Sequence, residues 1–271
     1  VYKRQGLSVT DVGELADTQL AALTSSQLGA LGTTILHYAR EPFLPASVLT
    51  AVIFGAVVVS LTLFFLRRRP GIAHGMVWGF AVSGLAVEIN TNMTHLLARA
   101  GLDWLGAAGY APLNEEVLKF LGVVLICTCV IRPRSWLDYV FVGVAVGIGF
   151  TVGENATAFA RMTVDNLDSD TAGALGAGVI RLASNPLSHS LFTGLSAYGL
   201  SQKQPVRWLI AAIAVHVTKN LFPSLSAAFD DAIWPLLAGM VVVVALWVAT
   251  IRGIIVLRRK AATEPPVPAH A

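Results

Sequence analysis

The sequence has few charged residues for its length. Charged side chains make up 13% of the 271 residues, whereas hydrophobic residues make up 55% and the mean hydropathy is +0.68. Soluble domains contain about 25% charged residues, and this chain has too few polar residues to cover a water-soluble core of its size. The scarcity of charge therefore excludes a soluble globular protein, and the long apolar runs indicate a protein that crosses a membrane several times.

Cysteine is also scarce, because the chain contains only Cys127 and Cys129. Residues two apart on a helix point in different directions, so a disulfide between them is not expected. We interpret both as small apolar packing residues. The net charge of +3 is spread over short basic clusters between apolar runs, and it therefore does not indicate a partner nucleic acid. The expected surroundings are a lipid bilayer.

Seven apolar runs have the length of a membrane-spanning helix. We predict an all-α bundle of about seven transmembrane helices, with residues 45–257 as the transmembrane domain. Before it, residues 1–44 form an extracytoplasmic segment, in which the near-repeat over 18–33 predicts an amphipathic helix. After it, the basic and then proline-rich residues 258–271 are expected to be disordered. The seven runs are 45–66, 72–97, 111–131, 136–159, 179–200, 207–226 and 233–256.

The basic residues predict the orientation in the membrane. Connections on one side hold ten of them, at positions 67–69, 132–134, 203–207 and 258–260. The other side holds four, namely Arg40, Arg99, Arg161 and Arg181. Because positive residues accumulate on the cytoplasmic side, we expect the N-terminus outside and the C-terminus in the cytoplasm.

The third span carries the pattern E-E-x-x-K, formed by Glu115, Glu116 and Lys119. On a helix, Lys119 lies three residues after Glu116 and four after Glu115, so it is a neighbour of both. One ammonium group can hold one carboxylate charged while the second remains free to exchange a proton. This arrangement suits a general base.

Three further spans carry polar residues at helical spacing. Intramembrane ionisable residues almost always face the bundle interior or a wet cavity, so we expect these residues to meet the glutamates of the third span. Such a cavity can activate water or bind a divalent metal, since two histidines and a glutamate are a catalytic zinc's ligand set. The residues are Glu154 and Asn155 in span four, His189 and Thr193 in span five, and His216 and Asn220 in span six.

The second span has polar residues near its outer end. They contribute to the same cavity or solvate the interface, and the sequence leaves both interpretations open. These residues are Glu88, Asn90, Asn92 and His95.

The motifs "NEEVLK", "FTVGEN", "HSLFTG" and "HVTKN", in this order within residues 45–226, resemble the PrsW family of bacterial intramembrane proteases. That family is a distant relative of the CAAX prenyl endopeptidases. The resemblance implies an integral protein of the bacterial cytoplasmic membrane that hydrolyses a peptide bond of a membrane-anchored protein. The family's namesake makes the first, extracytoplasmic cut in an anti-sigma factor.

The resemblance also implies roles for individual residues. Its catalytic residues correspond to Glu115, Glu116, Glu154, His189 and His216. Lys119, Asn155, Thr193 and Asn220 are expected to support them. If the protease uses zinc, the predicted ligands are His189, His216 and Glu154; otherwise the glutamates activate water without a metal.

Two other functions are compatible with the same residues. A proton-coupled transporter or channel could use them as a proton relay, although the spans show no repeat of the kind that many transporters have. A non-catalytic scaffold could use them to bind partner helices. The resemblance favours the protease, and depth along the predicted spans places its cut near the extracytoplasmic surface.

Overall fold

The computed structural model describes residues 45–66, 69–165, 170–184, 188–229 and 233–263. Every regular element in these ranges is helical, which confirms the predicted all-α class. The predicted amphipathic helix in residues 18–33 lies outside the described residues. The last helix continues to Thr263, so the first residues of the tail predicted to be disordered are helical.

The described part of the chain contains eight helices of more than ten residues. A short turn, Asp103–Leu105, and a π-helical segment, Gly106–Tyr110, lead directly into α3, and a second π-helical segment, Ile126–Val130, continues it. The eight helices are α1 (Pro45–Leu66), α2 (Ile72–Ala98), α3 (Ala111–Leu125), α4 (Trp136–Asp165), α5 (Asp170–Ser184), α6 (Ser188–Ser201), α7 (Pro205–Ala228) and α8 (Ile233–Thr263).

Within the described ranges, five helices are long and apolar enough to cross a membrane, namely α1, α2, α4, α7 and α8. The third predicted span, 111–131, corresponds to α3 and the π-helical segment Ile126–Val130 that continues it. The fifth predicted span, 179–200, is helical wherever it is described, in α5 up to Ser184 and in α6 from Ser188.

Helix α4 is the centre of the bundle and packs against α1, α2, α3, α5 and α6. Glycines allow its close contacts, as small residues do in membrane helix pairs. A Cβ atom on Gly79 of α2 would collide with the backbone of Val146. A Cβ atom on Gly147 of α4 would lie 2.5 Å from the carbonyl oxygen of His189. The second contact holds the start of α6, and with it His189, against the centre of the bundle.

The outer helices present apolar side chains to the surroundings. In α8 none of the most apolar stretch is buried, whereas 78% of the corresponding stretch of α4 is buried. Exposed valine, leucine and methionine side chains on α8 are the expected lipid-facing surface of a membrane protein. The polar residues are therefore concentrated inside the bundle, around α4.

Candidate active site

Helix α3 carries its three charged residues on one buried face. Glu116 and Lys119 are 0% exposed and Glu115 is 7% exposed. The helical period of 3.6 residues brings these positions onto one face of α3, and apolar positions on the opposite face point outward. The exposed apolar positions are Leu113, Val117 and Leu121.

The ammonium group of Lys119 lies at the centre of the site. Its Nζ is 2.5 Å from Glu116 Oε1 and 3.6 Å from Glu115 Oε2, so both ion pairs expected from the spacing are present. The same atom is 2.9 Å from His189 Nδ1 and 4.3 Å from the centre of the Phe150 ring. Burial of an unpaired charge is costly, and these contacts compensate it.

His216 of α7 is held by the second glutamate. Its Nδ1 lies 2.9 Å from Glu116 Oε1. A carboxylate can only accept hydrogen bonds, so the imidazole donates from Nδ1 and its lone pair is on Nε2. That lone pair faces inward, since Nε2 is 3.9 Å from Glu115 Oε2.

His189 of α6 has the same arrangement with its nitrogens exchanged. Its Nε2 lies 2.9 Å from Glu154 Oε2, so this nitrogen donates and the lone pair is on Nδ1. Nδ1 faces Lys119 and is 4.0 Å from Glu115 Oε2. The rings of His189 and His216 are 5.1 Å apart between centroids. Two carboxylate–histidine pairs therefore direct both lone pairs into one space.

Glu115 completes this space. Asn90 Nδ2 donates to Glu115 Oε1 at 3.1 Å, and Asn114 Nδ2 donates to Asn90 Oδ1 at 2.9 Å. The other oxygen, Oε2, is buried and has no hydrogen-bond partner among the described residues. Asn90 thus belongs to the site. The other polar residues at this end of α2, Glu88, Asn92 and His95, are exposed.

Three buried side chains, Glu115, His189 and His216, could hold a metal ion. Their ligand atoms lie within 4.8 Å of one another. Two histidines and one carboxylate suit catalytic zinc, and metal-bound histidines commonly donate their other nitrogen to a carboxylate. Glu115 Oε2, which accepts no hydrogen bond from the described residues, adds to this fit. The group differs from the predicted ligands in one member, because Glu154 contacts the outward nitrogen of His189.

The predicted supporting residues lie around the centre and contact other groups. Asn155 is fully buried and its Oδ1 accepts a hydrogen bond from Arg181 Nε at 2.6 Å. Asn220 Nδ2 donates to the carbonyl oxygen of Ala107, in the π-helical segment before α3, at 3.3 Å. Thr193 is fully buried on α6.

Sequence reasoning missed two cations. Arg181, counted above with the outer basic residues, lies on α5 with its Nη2 2.5 Å from Glu154 Oε2. Lys219 lies three residues after His216 and so shares its face of α7. For Arg181 the available signal was one basic residue in an otherwise small and apolar helical stretch, and for Lys219 it was the three-residue spacing from His216.

A comparison with protein-family models matches residues 68–250 to the model described as PrsW family intramembrane metalloprotease. The comparisons with curated proteins and with solved structures gave no match. The matched region contains all the helices that form the site, from α2 to α7. The chain therefore belongs to the PrsW family of intramembrane metalloproteases and is an integral membrane protein and a protease.

Proposed function

We propose that this protease cuts membrane-anchored proteins close to their extracytoplasmic juxtamembrane segment, with Glu115, His189 and His216 at the catalytic centre. The observation that supports this assignment is the buried Oε2 of Glu115, which accepts no hydrogen bond from the described residues and lies between two inward-facing imidazole nitrogens. The proposed substrate is a single-span protein such as an anti-sigma factor, in accordance with the family resemblance.

Glu115 is the proposed contact of the attacking water. A water molecule beside Oε2 can give its proton to this carboxylate while its oxygen attacks the scissile carbonyl. The resulting oxyanion requires a donor or a positive charge. Since both imidazoles donate outward to glutamates, the ammonium of Lys119 is the group in the centre that can meet this requirement.

The residues of this chain that would hold zinc are Glu115, His189 and His216. When bound, zinc would supply a Lewis acid that lowers the pKa of its water and polarises the carbonyl. Glu115 would then be a ligand. Glu116, whose Oε2 has no hydrogen-bond partner in the described part of the chain, would be the remaining carboxylate beside the reacting groups.

The proposed side of cleavage follows from charge and depth. Basic clusters predict that α4 runs outward, and Glu154 lies 11 residues from its outer end at Asp165 but 18 residues from Trp136. His216 is near the middle of α7, 12 residues from Ala228 and 11 from Pro205. Glu154 therefore supports a centre in the outer half of the bilayer, and His216 supports a depth close to the midplane. From the same basic clusters we infer that the N-terminus is outside and the C-terminus is in the cytoplasm, in the bacterial membrane that the family resemblance implies.

An assay on purified protein in liposomes tests this function. We expect cleavage of single-span substrates at rates above those of empty liposomes. The transporter alternative uses the same intramembrane residues, so proton and solute flux are measured on the same liposomes. Flux without any peptide product would contradict the proposal and favour the transporter.

Neutralising Lys119 should strengthen metal binding. Its ammonium lies 2.9 Å from His189 Nδ1 and 3.6 Å from Glu115 Oε2, and two cations repel strongly in a buried site. We expect Lys119→Gln to raise the affinity for Zn²⁺ by about tenfold or more, measured by competition with a chromophoric chelator. Lys119→Arg keeps the charge and is the control. Equal affinities in all three proteins would contradict this prediction.

A further inference from the structure

Arg181 joins α5 to the active-site helix α4 through two contacts. Its Nη2 lies 2.5 Å from Glu154 Oε2, and its Nε donates to Asn155 Oδ1 at 2.6 Å. These two acceptors are consecutive residues of α4. The planar guanidinium can meet both at once, which the single ammonium of a lysine does less well.

The contact continues from Glu154 to the catalytic centre. The same oxygen, Glu154 Oε2, is 2.9 Å from His189 Nε2. Glu154 therefore sets which nitrogen of His189 carries the proton and which faces Glu115. Asn155 is fully buried, so the packing of α4 fixes the acceptor of this partly buried contact with Arg181.

A role in packing alone does not explain why α5 carries an arginine at position 181. Helix α5 packs against α1 and α4 and exposes the apolar side chains of Leu175, Val179 and Ile180. A charged side chain on a lipid-facing helix is costly and is usually found where it has a function. An arginine that needed only solvation of its charge would extend its side chain to the membrane interface, as the exposed Arg161 of α4 can.

We propose that Arg181 is a positioning residue that fixes Glu154 and, through it, the orientation and tautomer of His189. This inference rests on the proposed role of His189 in the proteolytic centre. Arg181 touches neither the reacting atoms nor the three candidate metal ligands. Its loss should consequently slow the chemical step more than it weakens substrate binding.

Kinetics on liposomes with a cleavable single-span substrate provide the first test. Arg181→Gln should lower kcat about 10–100-fold, as losses of such supporting contacts commonly do, with KM changed less than about twofold. Arg181→Lys keeps the charge but not the two-point contact, and should retain intermediate activity. The matched control is Arg161→Gln, which should keep the wild-type kcat.

A double variant tests the route through Glu154. If Arg181 acts through this carboxylate, adding Arg181→Gln to Glu154→Gln should cause almost no further loss of kcat. If the loss of kcat in the double variant equals the product of the two single-variant losses, the proposal is overturned. A rise in KM at unchanged kcat would also overturn it, because Arg181 would then contact the substrate.

The imidazole signals of His189 test the proposal without any cleavage. In protein with ¹⁵N-labelled histidine in detergent micelles, the His189 signals are identified by their loss in His189→Gln. We expect the wild type to show one tautomer, protonated at Nε2, and Arg181→Gln to show a tautomer mixture. Arg181→Lys serves if the glutamine variant does not fold. Unchanged His189 signals in the folded variants would overturn the proposal, whereas altered signals in a protein without protease activity would refute only the proposed function.

Discussion

Glu115→Gln should lower the rate of peptide-bond hydrolysis by about 1,000-fold or more, within the range for loss of a general base. Glutamine has nearly the same shape, and its carbonyl can still accept the hydrogen bond that Asn90 donates to Glu115 Oε1. At the position of Oε2 it places an amide that can neither accept the proton of water nor bind zinc. The measurement is kcat on proteoliposomes, together with thermal unfolding to show that the variant is folded.

The control for this substitution is Glu88→Gln. Glu88 is exposed on α2 and its Oε1 accepts a hydrogen bond from Asn92, outside the group of residues assigned to the site. The same loss of one negative charge there should leave kcat unchanged. A Glu115→Gln protein that keeps more than a tenth of wild-type activity would remove Glu115 from the mechanism.

Removal of metal should have the second large effect. If Glu115, His189 and His216 hold zinc, exhaustive chelation should lower activity at least about 100-fold, and one equivalent of zinc per chain should restore it. The expected stoichiometry follows from the single group of three such residues in the described ranges. Atomic spectroscopy of the purified protein measures it.

His216→Gln provides the matched control for metal removal. It deletes one candidate ligand on α7, and we expect it to reduce both the zinc content and the response of activity to added zinc. Undiminished activity of the wild type in metal-free buffer would leave the metal-independent mechanism, in which Glu115 alone activates water. Both mechanisms require the same residues. Glu115 is a metal ligand in one of them and activates water in the other.

Spacing along single helices predicted several contacts that the structure contains in the candidate site. Glu116 and Lys119 on α3 form an ion pair because they are three residues apart, and their charge in an apolar span identified them. His189 and His216 could be connected to them because buried polar groups in a membrane need partners. Each of these inferences uses the geometry of one helix or the cost of burial.

Relations between helices could not be predicted in the same way. The sequence does not state how each helix is rotated about its axis, and this rotation decides that Glu115 rather than Glu154 faces both imidazoles. The rotation of α2 also brings Asn90, one of four polar residues near its outer end, into contact with Glu115. Arg181 was assigned to the outer surface because a count of basic residues ignores where each side chain points.

The position of the cleaved bond is the most direct test of the proposed catalytic centre and of its depth in the membrane. Purified protease in liposomes is incubated in H₂¹⁸O with a single-span substrate, and the product termini are identified by mass spectrometry. We expect one new carboxyl terminus containing ¹⁸O, at a bond in the outer half of the span or just outside it, and an amount of product lower by about 1,000-fold or more with Glu115→Gln. A bond on the cytoplasmic side, or an unchanged product from Glu115→Gln, would contradict it.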